Sequence, residues 1–246
     1  MDRLIYIAMS GAQQQFHQQA ITANNLANAA TSGYKAETSA YRTAAVVGPG
    51  LPARAYALAS TSGVDLSFAE IQRTGRDLDV AIEGPGFFAV QALDGTEAYT
   101  RGGSFRVSPE GELQTPAGLP VLGDGGPVAI PQDSKISIGP DGTISAVDLG
   151  QSAKNVITVG RLKLVNPERA DLVRGADGLF RLRGGGAAEA DPTVMVGAGA
   201  LEGSNVDTVA TMVEMLNLAR QYDLHMKILQ EADSNAQRAN QLLSVG

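Results

Sequence analysis

The chain of 246 residues contains no cysteine and no tryptophan. Without thiols it can form neither a disulfide framework nor a thiolate metal centre, although this absence alone does not fix a compartment. Aromatic residues make up 5% of the chain, and histidine occurs twice, at His17 and His225. A hydrolytic triad or a zinc site needs partners within reach of an imidazole, and these two stand on separate predicted helices far apart in sequence. No Lys/Arg-rich stretch is present, and 19 basic against 26 acidic residues leave a net charge of −7. That balance argues against nucleic-acid binding, which normally calls for a basic face. No run approaches the roughly twenty apolar residues that span a bilayer. Near the N-terminus, Asp2, Gln13, Gln14, Gln15 and His17 interrupt any apolar segment of a cleavable signal peptide. No cofactor and no metal are expected.

What the chain does have is a pair of heptad patterns at its two ends. Apolar or small residues fall at Ile5, Met9, Ala12, Phe16, Ala23 and Leu26, interrupted once by Gln19. The pattern returns at Met212, Met215, Ala219, Tyr222, Met226, Leu229, Ala236 and Leu243, with polar breaks at Asp233 and Asn240. A repeat near 3.5 residues makes a narrow seam along one side of a helix, the geometry by which helices zip together. Two such seams predict a protein that joins its ends and docks against copies or relatives.

Twenty-nine Gly and eleven Pro, concentrated between residues 48 and 203, mark a turn-rich middle. The spacing predicts an assembly helix within 1–35, ending at the turn cluster Asn28-Ala-Ala-Thr-Ser-Gly33, with Gly33 suited to a left-handed cap. Residues 36–74 read as an extended linker with little core of its own. Tyr41–Val47 is a short strand or helical turn, Gly48-Pro-Gly-Leu-Pro52 a break, and Ala53–Thr61 a second extended piece. Residues 75–200 read as a β-domain of many short strands, barrel- or sandwich-like. Asp94-Gly95 is a hairpin signal after Phe87-Phe-Ala-Val90, and Ile157–Val165 is the longest strand expected. Residues 201–246 close with a second assembly helix, Ser204 or Asn205 as its N-cap and Asp207 in its first turn. The fold class is α+β: long terminal helices pairing as a coiled-coil-like stalk around a central all-β domain.

Asp77-Leu-Asp79 offers paired carboxylates, which a secreted hydrolase could use, but strand alternation places both on one solvated face without an acid–base partner. Asp94-Gly-Thr, Asp141-Gly-Thr and Asp177-Gly lack the twelve-residue loop and closing Glu of a calcium site, and hairpin turns explain them. Gly84-Pro-Gly86 lies between strands, where a phosphate cradle would need a following helix. The cluster Asn24, Asn25, Asn28 is different, because asparagine competes with the helix backbone for hydrogen bonds. It reads either as a fraying helix end or as amides that fix register between packed helices.

The segment Asn24-Asn-Leu-Ala-Asn28-Ala-Ala-Thr31-Ser-Gly33-Tyr-Lys35 closely resembles the N-terminal signature of the bacterial flagellar rod and hook family. Leu201-Glu-Gly-Ser-Asn-Val206, Met212-Val-Glu-Met215, Arg220-Gln-Tyr222 and Lys227-Ile-Leu-Gln230 resemble that family's closing helix. Gly75-Arg-Asp-Leu-Asp-Val80 to Gly86-Phe-Phe88, Tyr99-Thr-Arg101 and Val121-Leu-Gly123 resemble its β-domain. Ala29-Ala30 departs from the larger or more polar pair often found there. The opening Met1-Asp-Arg-Leu-Ile-Tyr6 with Ala8-Met-Ser-Gly11, and the ending Asn240-Gln-Leu-Leu-Ser244, favour its proximal-rod branch over the distal rod, and hook proteins usually carry a larger central insertion. The resemblance implies a structural, non-enzymatic subunit of the basal-body rod, exported through the flagellar type III apparatus without a cleaved signal. Its partners would be other rod proteins and copies of itself in a helical assembly, with no nucleic acid and no direct membrane insertion. The interface would use the seam residues above together with Asn24, Asn25, Asn28, Thr31, Gly33, Tyr34 and Arg220.

Overall fold

The computed structural model describes residues 2–45, 55–59, 63–131, 134–148 and 156–244. The first helix, α1 (Asp2–Ala27), stops where Asn28 and Ala29 turn their amides back onto the carbonyls of Asn24, Asn25 and Leu26. Strands β1 (Glu37–Thr38), β2 (Tyr41–Ala45), β3 (Ala55–Ala59) and β4 (Gly63–Val64) follow. They pair antiparallel as nested hairpin arms, β1 with β4 and β2 with β3. The segment expected to be an extended linker therefore carries paired strands, β2 within the 41–47 candidate and β3 within the 53–61 candidate. Its alanine-rich arms, Tyr41–Ala45 against Ala55–Ala59, hold few β-branched residues, which is why the first stayed open between strand and helical turn and their pairing was not expected. The break at Gly48–Pro52 lies outside the described residues.

From there the chain is a succession of short strands. They are β5 (Ile71–Arg73), β6 (Val80–Glu83), β7 (Phe87–Gln91), β8 (Glu97–Thr100), β9 (Arg106–Val107), β10 (Leu113–Gln114), β11 (Leu122–Gly123) and β12 (Gly126–Pro127). Next come β13 (Ser134–Ile138), β14 (Thr143–Asp148), β15 (Val156–Arg161), β16 (Leu164–Val165), β17 (Leu172–Arg174), β18 (Phe180–Leu182), β19 (Met195–Ala198) and β20 (Ala200–Glu202). The second helix, α2 (Thr208–Ser244), is the last element among the described residues. Largest is a sheet ordered β16-β7-β8-β18-β17, beside the meander β13-β14-β15 and smaller pairs that include β19 with β6 and β20 with β5. The long strand expected at Ile157–Val165 is split, because Leu162 and Lys163 leave the β14 partner and turn toward β11 and β7.

The core is built from Val80, Ile82, Phe88, Val90, Phe105, Leu113, Val121, Ile144 and Leu162, all essentially inaccessible. The rings of Phe88 and Phe105 meet edge to face at 5.2 Å and 84°. Phe87-Phe-Ala-Val90 is buried on both faces, so it reads as a continuous apolar run where a half-exposed strand would alternate. The β7–β8 hairpin turns at Gly95, whose φ of 80° a side chain would strain, and Asp94 accepts bonds there from the Thr96 amide (3.0 Å) and hydroxyl (2.6 Å).

Contacts divide the chain into two units. One holds residues 1–29, 35–66 and 206–246; the other holds 30–34 and 67–205. The β-unit thus begins earlier than residue 75, because β5 pairs with β20, and it also takes in the short stretch 30–34. At the start of α2 the N-cap is Asp207, not Ser204 or Asn205. Its Oδ1 accepts the amides of Val209 (2.9 Å) and Ala210 (3.0 Å).

Candidate assembly site

Helices α1 and α2 run antiparallel, since Gln15 bonds Gln221 at 2.8 Å while Gln18, further along, bonds Glu214 at 3.1 Å. Gly11 lies against the ring of His225, where an added Cβ would stand 3.1 Å from Cε1. A glycine costs an α-helix about 1 kcal/mol against alanine, so its presence here is explained by this close approach. The covered residues of α1 include Gly11, Gln15, Gln18, Thr22 and Asn25, which recur at steps of four and three. On α2 the covered positions include Thr211, Met215, Leu218, Tyr222, His225, Leu229 and Ala232, with the same period.

Between Gly11 and Asn25 the α1 face turned inward is therefore mostly polar and small, with Ile21 its one large buried apolar side chain, and a second apolar strip lies outside. Met9, Phe16, Ala20, Ala23 and Ala27 are exposed, Phe16 to 67%. On α2, Val209, Val213, Leu216 and Leu224 form a second apolar strip opposite the covered one, with Leu216 60% exposed. A helix that is apolar on both faces is normally a buried helix. Of the expected seam, Met9, Phe16, Met212 and Met226 are exposed, as is Arg220, while Ala12, Met215, Ala219, Tyr222 and Leu229 are partly covered. Ile5 lies on α1 and Leu243 on α2. The strip Val209-Val213-Leu216 was missed, although its three- and four-residue spacing was visible in the sequence.

The asparagine cluster has partners inside the chain. Asn25 donates to the Glu37 carbonyl (2.9 Å) and accepts its amide (2.8 Å), which closes the strand end onto the helix as another strand would. Asn28 donates to the carbonyl (2.9 Å) and side-chain oxygen (2.8 Å) of Asn24, which is itself exposed. Asn25 and Asn28 are half-buried, as is Leu26. The amides thus define how the chain leaves α1.

Beyond them, Thr31 is exposed, and Gly33 and Tyr34 are buried in the β-unit. Gly33 has φ 71°, as a left-handed residue should, but it caps no helix. Its amide donates to the Glu202 carbonyl at 2.8 Å, and a Cβ would lie 2.2 Å from the Gly102 nitrogen. The Arg174 guanidinium stacks 4.5 Å from the Tyr34 ring centre. Directly beside Gly33 is a buried ion pair. Arg101 Nε and Nη2 each stand 2.6 Å from Glu202 Oε2, with the two side chains 3% and 1% exposed. Arg101 Nη1 also donates to the carbonyls of Gly84 (2.8 Å) and Gly86 (2.7 Å), and Glu202 Oε1 accepts the Ala69 amide at 3.1 Å. Segments around residues 33, 69, 85, 101 and 202 meet at this one node, and sequence reasoning named its parts without joining them.

The groups weighed for chemistry have structural partners. Asp79 is turned inward to Arg76 at 3.0 Å, while Asp77 is exposed, so the two carboxylates share no face; residues 76–79 form a turn ahead of β6, not a strand. Threonine hydroxyls and amides hold the carboxyls of Asp94, Asp141 and Asp191 below the usual aspartate range. Burial pushes the Tyr99 phenol up to about 12, and its oxygen accepts the Ala188 amide at 2.6 Å. Among the described residues, no three His, Cys, Asp or Glu side chains could together hold a metal ion. Nor is any described helix long and apolar enough to cross a membrane.

Comparison with known proteins bears on the same segments. The profile "Flagella basal body rod protein" matches residues 5–35 and "Flagellar basal body rod FlgEFG protein C-terminal" matches 198–242. "Flagellar hook protein FlgE/F/G D1 domain" matches residues 81–146. The flagellar basal-body rod protein FlgF of Escherichia coli K12 is 48% identical over the full length of both chains. The chain belongs to the flagellar rod and hook family. FlgF of Caulobacter vibrioides is 34% identical over 93% of each chain, and the rod protein FlgG of Bacillus subtilis is 33% identical over 95% of this chain and 96% of its own. Like these rod proteins, it is a structural component of the bacterial flagellum. All three profiles reach the buried node, since Gly33 lies in the first, Arg101 in the hook-protein D1 match and Glu202 in the C-terminal one.

Proposed function

We propose that the chain is a subunit of the proximal rod that polymerises through its terminal helices into the shaft carrying motor torque toward hook and filament. Residues 1–35 and 201–246 are the assembly segments, paired as a coiled-coil-like stalk, and the barrel- or sandwich-like β-unit braces neighbouring subunits. The observation that carries this reading is the apolar outer strip on both helices, Met9 and Phe16 on α1 and Val209, Val213, Leu216 and Leu224 on α2. Covering such side chains contributes roughly 1.5–3 kcal/mol each before ordering costs. Non-closing contacts of this kind generate a helical stack with copies of the chain and other rod proteins. The subunit reaches the periplasm-spanning rod through the flagellar type III apparatus, without a cleaved signal. Imaging of intact basal bodies tests this. The reading expects the subunit in the proximal segment with both outer strips covered by neighbours. Location in the distal rod or hook, or strips left facing solvent in the assembly, would overturn it.

A further inference from the structure

The β-unit carries a protruding knob and an open socket that nothing in the helix-driven reading uses. Leu93, at the tip of the β7–β8 hairpin, is 97% exposed. The tip is rigid. Ala92 donates to the Thr96 carbonyl, Gly95 to that of Ala92, and Asp94 is locked by Thr96. Elsewhere on the unit, Leu78, Phe105, Val107 and Ile136 line a mainly apolar depression of about 500 Å³, rimmed by Arg76, Asp77, Arg106 and Lys135.

The charges match one to one. At the socket, Arg76 is paired with Asp79 at 3.0 Å and Lys135 with Asp77 at 3.9 Å, whereas the exposed Arg106 makes no ion pair among the described residues. At the tip, Arg181 faces Asp94 but is held by Asp177 at 3.0 and 2.7 Å, which leaves Asp94 the surplus anion. Knob and socket cannot meet within one chain. Paired strands run from Gln91 through Pro120 and Gln114 to Arg106, three strand spacings or about 14 Å of rigid sheet.

We propose that the hairpin tip of one copy seats in this depression on a second copy, with Leu93 against the accessible Leu78 and Val107 and Asp94 facing Arg106. The contact is heterologous, so it extends a stack rather than closing a dimer. It stands independently of the helix contacts.

Because the chain has no cysteine, site-directed disulfide trapping reads the contact directly. Full-length Leu93→Cys and Val107→Cys chains are mixed and oxidised, and the 93–107 product is compared with each variant alone. The expected result is a mixed dimer in several-fold excess over both homodimers. Adding Asp94→Arg to the first chain, or Arg106→Glu to the second, lowers the yield about three- to fivefold, and adding both restores it. Both charge variants lie in the β-unit and leave the helix strips intact, so their effect on the yield separates this contact from docking through the helices. Equal yields of all products, no cross-link, or a charge exchange that fails to restore the yield would overturn the proposal.

Discussion

Replacing Glu202 by Gln changes one buried atom's charge at the place where five chain segments meet. The Arg101 guanidinium it faces is 3% exposed and has two nitrogens 2.6 Å from one carboxylate oxygen. Its remaining bonds go to the carbonyls of Gly84 and Gly86, which solvate but do not neutralise it. Leaving one member of such a pair uncompensated costs about 3–5 kcal/mol, whereas exchanging both for apolar residues of similar volume is often neutral. For a chain of this size 1 kcal/mol corresponds to about 2–4 °C, so the Glu202→Gln β-unit is expected to melt roughly 6–20 °C lower. Thermal unfolding followed by near-ultraviolet circular dichroism measures this, with Arg101→Met/Glu202→Leu as the partner variant. The double variant is expected to lose far less than the sum of the two single ones. A Glu202→Gln loss under about 1 kcal/mol, or strict additivity in the cycle, would show that the node is not a desolvated pair and refute the reasoning.

Gly33→Ala is expected to destabilise the chain by roughly 2–5 kcal/mol. The left-handed backbone contributes about 1–2 kcal/mol and the contact with the Arg101–Gly102 backbone about 1–3 kcal/mol; a melting temperature within a degree of the parent would contradict this. Asn25→Leu removes both bonds to the Glu37 backbone at about 1–3 kcal/mol, so hydrogen exchange at the Glu37 amide should rise while β7 amides keep their protection. In acid, stability should fall as pH drops below about 4. The carboxyls of Asp94, Asp141 and Asp191 lie below their ordinary value of 3.8 in the folded chain, so their contribution is complete above that value and is lost as pH falls through the lowered ones. A melting temperature that is flat or rising from pH 5 to pH 2 would exclude that linkage.

The 3.5-residue period of both terminal helices was legible in the sequence, but its phase was only half so. Met215, Tyr222 and Leu229 fall on the covered side of α2, while Met212 and Met226 fall outside. An apolar heptad tells which side of a helix wants burial; it does not tell whether the partner lies in the same chain. On α1 that partner is polar, through Gln15 and Gln18, because the intramolecular contact is secured by amide bonds and by a glycine that lets His225 approach. Hairpin turns at Asp94 and Asp141 were legible because their chemistry is local. The node was not, since Gly33, Arg101 and Glu202 are linked only by long-range packing. Strands β2 and β3 fall within the stretches 41–47 and 53–61 marked as extended candidates, but their pairing, and the strands β1 and β4 beside them, were not legible because alanine carries little β signal.

The central claim is that the outward apolar strips of α1 and α2 drive assembly. Its most direct test is incorporation of full-length Phe16→Asp and Leu216→Asp chains into basal bodies, quantified beside the parent in cells making each variant. Both side chains are exposed, so the isolated chains should melt within about 0.5 kcal/mol of the parent. Loss of about 2 kcal/mol per contact weakens each docking step roughly thirtyfold. The account therefore expects rods that stop short of this subunit and cells that do not swim. Normal incorporation and swimming with both aspartates in place would contradict it.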